Sequence, residues 1–124
     1  MIDGRRLLMR AEVKHFEWSD PEAASELDVN QSAALTFIAG PLGEPGEETF
    51  DVTVRTPEAL RALVDRDGVV IGRHFLFVSS VSNERVEDFI RDRLRRLDGD
   101  TWHTLAEKIG RIGFWEFEDY TTAP

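Results

Sequence analysis

At 124 residues, 41% hydrophobic and 31% charged, the chain is long enough for one globular core and too apolar to stay disordered. It has no cysteine, which excludes disulfides and thiolate metal sites, and its formal net charge of -9 opposes binding to nucleic acid phosphates. No apolar run approaches the roughly 20 residues of a membrane span, and residues 1–13 carry arginines without an apolar h-region, so the expectation is a cytoplasmic protein with no signal peptide.

The elements follow from periodicity. Leu7, Met9, Ala11 and Val13 alternate with Leu8, Arg10, Glu12 and Lys14 and predict a strand over 7–16, with Phe16 and Trp18 on its other face, toward a helix or a partner. Residues 19–30 are polar, with room for one short helical turn from Pro21 to Leu27. Residues 33–39 read as a second strand and 49–56 as a third, where Phe50, Val52 and Val54 alternate with Asp51, Thr53 and Arg55. The Gly- and Pro-rich run GPLGEPG between them makes the pair a hairpin with a long acidic loop.

Thr56 is a good N-cap and Pro57 suits the first helical position, so a helix starts there, buries Leu60, Leu63 and Val64, and ends at Asp67-Gly68. Residues 69–71 begin an extended stretch, and the nearly unbroken apolar run 75–81 reads as a central strand covered on both faces. Ser82 caps the next helix, whose stripe is Val86, Phe89, Ile90, Leu94 and Leu97, with Glu87–Arg91 and Asp92–Arg96 as i,i+4 pairs and Gly99 as the stop. Asp100 caps a last helix that buries Trp102, Leu105, Ala106 and Ile109, with Gly110 and Gly113 as stops. The segment GFWEFEDY then alternates aromatics and carboxylates as an edge strand does. The order β, β, β, α, β, α, α, β gives an α+β fold: one domain over 1–124, a mainly antiparallel sheet with about three helices packed on one side.

Charge is unevenly spread. Residues 17–28 hold five acids and no base, 41–60 five acids against Arg55, and 113–124 three acids and no base. The negative field thus comes from connections and the last segment, while the predicted helices are balanced or basic. Such a field attracts basic proteins, or else serves only solubility.

Catalytic signatures are missing from the sequence. His15, His74 and His103 have no ligand spacing, Ser79, Ser80 and Ser82 lack the nucleophile elbow, and the glycine-rich loop lacks the P-loop Lys-Ser/Thr. Glu47, Glu48 and Asp51 are candidates for a hydrolytic carboxylate pair, but a solvated acidic loop is the simpler reading. RDRLRR at 91–96, interrupted by Asp92 and Leu94, reads as the solvent side of a helix. In WEFEDY, Trp115 and Phe117 suit the core, whereas Tyr120 beside Asp119 suits an exposed contact.

Together GPLGEPGEETFDVTVRTP (40–57), GRHFLFV (72–78), NERV (83–86) and TWHTLAEKIGRIGFWEFEDY (101–120) resemble the Imm8 family, immunity protein 8 of bacterial polymorphic toxin systems. The resemblance implies a non-enzymatic protein, encoded beside a toxin, that binds the toxic domain and protects the producing cell. A basic nuclease as toxin would suit the acidic loops, whose carboxylates would take the place of substrate phosphates. The candidate toxin contacts are Glu44, Glu47, Glu48, Glu116, Glu118, Asp119 and Tyr120, with no catalytic residue, cofactor, metal, nucleic acid or membrane expected. The alternatives are a general protein-interaction module without a toxin and a small carboxylate-dependent hydrolase.

Overall fold

The structure is a computed structural model that describes residues 8–19 and 32–117. Its elements run β1 (Ala11–Trp18), β2 (Ser32–Pro41), β3 (Glu48–Arg55), α1 (Pro57–Asp67), β4 (Phe75–Phe77), α2 (Asn83–Arg95), α3 (Trp102–Ile109) and β5 (Phe114–Trp115). The expected order and the α+β class both hold. The helical turn expected at Pro21–Leu27 lies outside the described residues, as does everything after Phe117.

The sheet follows the order β1-β2-β3-β4, with β5 also paired to β3. Three pairings are antiparallel, and β3 with β4 is parallel. A parallel neighbour needs a crossover rather than a hairpin, and α1 is that crossover. Alternation puts Leu35, Phe37 and Ala39 of β2, and Phe50, Val52 and Val54 of β3, on one buried face. Against it pack Val86, Ile90 and Leu94 of α2, Leu105, Ala106 and Ile109 of α3, and Trp115. Phe37 and Phe50 stack at 5.3 Å, and Trp115 continues the row at 6.4 Å from Phe50. α1 buries Ala59 outside this core and lines, with Ser32 and Arg55, a hollow on the sheet's opposite face. Its Leu60 and Leu63 are only half-buried and Val64 is exposed, which corrects the expected buried stripe.

β1 contains the largest departure from simple alternation. Val13 pairs with Ala39 and His15 with Ile38, so Lys14 is an extra residue, a β-bulge. One inserted residue switches side-chain parity. Met9, Ala11 and Val13 face the core before the bulge, and Phe16 and Trp18 face the same core after it. The two aromatics therefore do not occupy the other face; they meet α2 on the covered one. The Trp18 indole donates to the Glu87 carboxylate at 2.8 Å, and the Arg91 guanidinium lies over the Phe16 ring at 4.9 Å. The strand also starts later than expected, at Ala11, with Met9 forming an isolated bridge to Gly99.

The helix caps follow local chemistry. Thr56 Oγ1 accepts from the Ala59 amide at 3.2 Å, and Ser82 Oγ from the Arg85 amide at 3.5 Å. Both expected α2 pairs form, Glu87–Arg91 at 3.7 Å and Asp92–Arg96 at 2.7 Å. Phe89, however, is exposed, with the Arg93 guanidinium 5.5 Å from its ring centroid. α2 ends at Arg95, before Gly99; that glycine instead exchanges backbone hydrogen bonds with Met9. The α3 cap is Thr101 rather than Asp100, accepting from the Thr104 amide at 3.1 Å.

β4 is not a central strand. It has three residues, pairs with β3 alone among the described residues and leaves Phe77 exposed, whereas Val81 reaches the core from the connection into α2. An apolar run divided between a short edge strand and a core-seeking connector looks the same in sequence as one buried strand. Residues 69–71 form no strand either: Val69 is 86% exposed and Ile71 81%.

Candidate functional site

The acidic hairpin loop is held by its neighbours. Gly43 and Gly46 have φ of 72° and 128°, conformations that favour glycine. The loop folds back so closely that a Cβ on Gly40 would stand 1.9 Å from the Gly46 carbonyl oxygen. Leu42 N–H donates to the Arg10 carbonyl at 2.9 Å, and Gly43 N–H to the Glu12 carboxylate at 2.8 Å. Lys14 Nζ, on the bulge, donates to the same carboxylate at 3.1 Å and to the Glu44 carbonyl at 2.8 Å. The Gly43 amide, and after it the Lys14 ammonium, holds the Glu12 carboxyl below its ordinary pKa. The bulge that rephases β1 thus also braces the loop.

The candidate contacts divide. Glu44 and Glu47 are exposed on the braced loop, and Glu116 is exposed just after β5. Glu48 is half-buried, and its carboxylate accepts a hydrogen bond from the Trp115 indole. Because β5 runs antiparallel to β3, the chain beyond Trp115 heads toward the start of β3 and the loop. Trp115 stands edge-on to Phe117 at 5.3 Å and to His103 at 5.3 Å. Glu116 therefore follows β5 at the end of the sheet where the acidic loop enters β3. Glu118, Asp119 and Tyr120 lie outside the described residues.

Asp51 belongs elsewhere. Paired with Thr36 and Phe114, it lies on the sheet face opposite the core, so it is not grouped with Glu48 as a carboxylate pair. Thr36 Oγ1 donates to it at 2.5 Å. Around it is a hollow of about 330 Å³, floored by Thr36, Asp51 and Thr53 and rimmed by His74, Phe75 and Phe114, with Arg73 also at its border. Sequence reasoning missed this hollow. The available signal was the two-residue alternation of β3, which already separates Asp51 from the core row.

The histidines are dispersed. His15 lies 3.7 Å from Glu17, His103 lies 3.7 Å from Glu107, and His74 Nε2 is 2.9 Å from the Gly110 carbonyl. Among the described residues no group of three or more His, Asp or Glu side chains is placed to hold a metal ion. Within the basic run of α2, Arg91 pairs with Asp88 and Glu87, and Arg95 and Arg96 with Asp92. No helix among the described residues is long and apolar enough to cross a membrane.

Fold and surface define a class: a small α+β domain whose sheet packs one face against α2 and α3 and carries a braced acidic loop at one end. The profile of Immunity protein 8 (Imm8) matches residues 11–120, most of the chain, and the protein belongs to that immunity-protein family. No curated protein and no solved structure matches it.

Proposed function

We propose that the protein neutralises a cognate toxin domain in the cytoplasm by stoichiometric binding, without catalysis, and that the acidic end of the sheet meets a basic face of the toxin. The observation that carries this reading is the braced loop. Glu12, Lys14 and the close approach at Gly40 hold the chain that displays Glu44 and Glu47, so less freedom is lost on docking. Glu116 adds charge at the same end, and Glu118, Asp119 and Tyr120 follow it in sequence. Glu48 enters the reading as the residue that ties β5 to this end through Trp115. A basic nuclease is the toxin chemistry that best suits such a surface, since carboxylates there would occupy positions made for phosphates.

The test pairs the protein with the C-terminal domain of the polypeptide encoded beside its gene. Co-expression should protect a cell from that domain, and the two should form a complex of equal stoichiometry. Glu44→Lys with Glu47→Lys should slow association about tenfold and flatten its salt dependence. No complex and no protection would refute the reading; binding without protection would favour a general interaction module.

A further inference from the structure

We propose that the sheet face opposite the core carries a second contact for the same toxin domain: a lysine or arginine of the toxin enters the hollow beside Phe75 and Phe114 and pairs with Asp51. This rests on the toxin-binding reading above and adds a position that the acidic loop does not include.

Charge is the first argument. Asp51 is exposed, accepts one hydrogen bond from Thr36, and has no ion-pair partner among the described residues; Arg73, which also lines the hollow, makes no ion pair with it. A carboxylate set among aromatic side chains favours a cation that can also face a ring. Phe75 already takes part in one such contact, with the Arg55 guanidinium 5.4 Å from its ring centroid. A hollow of about 330 Å³ admits the end of a long basic side chain together with its aliphatic stem.

Preorganisation is the second. Asp51 and Thr36 face each other across the β2–β3 ladder, and Phe114 is paired to Asp51 on the other side, so three strands fix the floor and one wall. The rim is fixed by His74. Among the described residues it is the one non-glycine residue with positive φ, 62°, and such outliers concentrate at functional sites. Its Nε2 lies 2.9 Å from the Gly110 carbonyl, and its ring meets Phe114 edge-on at 5.6 Å. Exposed Phe114 and Phe77 supply the aromatic area that protein interfaces use.

The experiment measures binding of the neighbouring-gene toxin domain to the intact protein and to Asp51→Asn, Asp51→Lys and Phe114→Ala. Asp51→Asn should weaken binding about tenfold, Phe114→Ala about tenfold, and Asp51→Lys at least ~100-fold. Circular dichroism and thermal midpoints should match the parent, since both side chains are exposed. Reversing the paired toxin lysine or arginine to Glu should restore binding to Asp51→Lys and not to Phe114→Ala. A parent that binds tightly while Asp51→Asn and Phe114→Ala bind equally well would overturn the inference and leave the toxin-binding reading standing. A parent that does not bind would overturn both.

Discussion

The Trp115 indole donates a hydrogen bond to the Glu48 carboxylate across 67 residues of sequence, locking β5 to the first residue of β3. The ring is nearly buried, between Phe50 on one side and His103 and Phe117 on the others. A polar tip on a buried ring must find an acceptor, and a carboxylate is a strong one. Trp115→Phe keeps most of the apolar contact but leaves the half-buried carboxylate without this donor. We expect a loss of about 1–3 kcal/mol in urea unfolding. Glu48→Gln, which retains an acceptor, should cost less; an equal or larger loss would show that the charge itself holds the pair.

The bulge predicts an asymmetry between two deletions. Removing Lys14 leaves Val13, Phe16 and Trp18 at an unbroken two-residue spacing, so their core contacts survive without the bulge. Removing Glu17 has no bulge to absorb it on that side and turns Trp18 away from Glu87. The Glu17 deletion should be the less stable by ~2 kcal/mol, roughly the value of burying one large side chain. Thermal and urea unfolding of both proteins checks the order.

Glu12 supplies a pH prediction. Its carboxyl is held low by the Gly43 amide first and Lys14 second, so its folded pKa lies below its unfolded one. The associated stabilisation is present above the unfolded value, about 4, and disappears as pH falls through the folded value. The Gly43 amide resonance should therefore titrate with a midpoint below that range, and Glu12→Gln should abolish the titration. A midpoint above the ordinary carboxylate value would contradict the bracing geometry.

Two glycines should respond unequally to alanine. Gly40→Ala places a methyl against the Gly46 carbonyl and must displace the loop, a cost of about 1–3 kcal/mol. Nothing lies within 4 Å of a Cβ on Gly72, where alanine should change stability by no more than about 0.5 kcal/mol. Denaturant melts of the pair provide the comparison. Equal effects would place the loop away from Gly40.

Much of the fold is legible where one local rule has no rival. The Thr56-Pro57 and Ser82 helix starts and the alternating β3 were of this kind. The bulge was written in the spacing too: apolar residues at 9, 11 and 13 resume at 16 and 18, a step of three inside a period of two. Reading each half separately hides it. Asp100 and Thr101 are both competent caps, and only the backbone decides between them. The run from Phe75 to Val81 is ambiguous in principle, because four consecutive apolar residues carry no period. For the site, carboxylates could be read from sequence but not their neighbours. Glu48 meets an indole distant in sequence, and Asp51 faces the other side of the sheet from it.

One border of β3 is shared by two short strands running in opposite directions, β4 beside Thr53–Arg55 and β5 beside Phe50–Asp51. The second of these emerges from the ribosome long after the hairpin it closes. Until Phe114 and Trp115 arrive, that stretch of β3 offers bare amides and carbonyls to any passing extended chain. The final segment thus serves as a late seal, and a nascent chain stalled before it would be the species most in need of a chaperone.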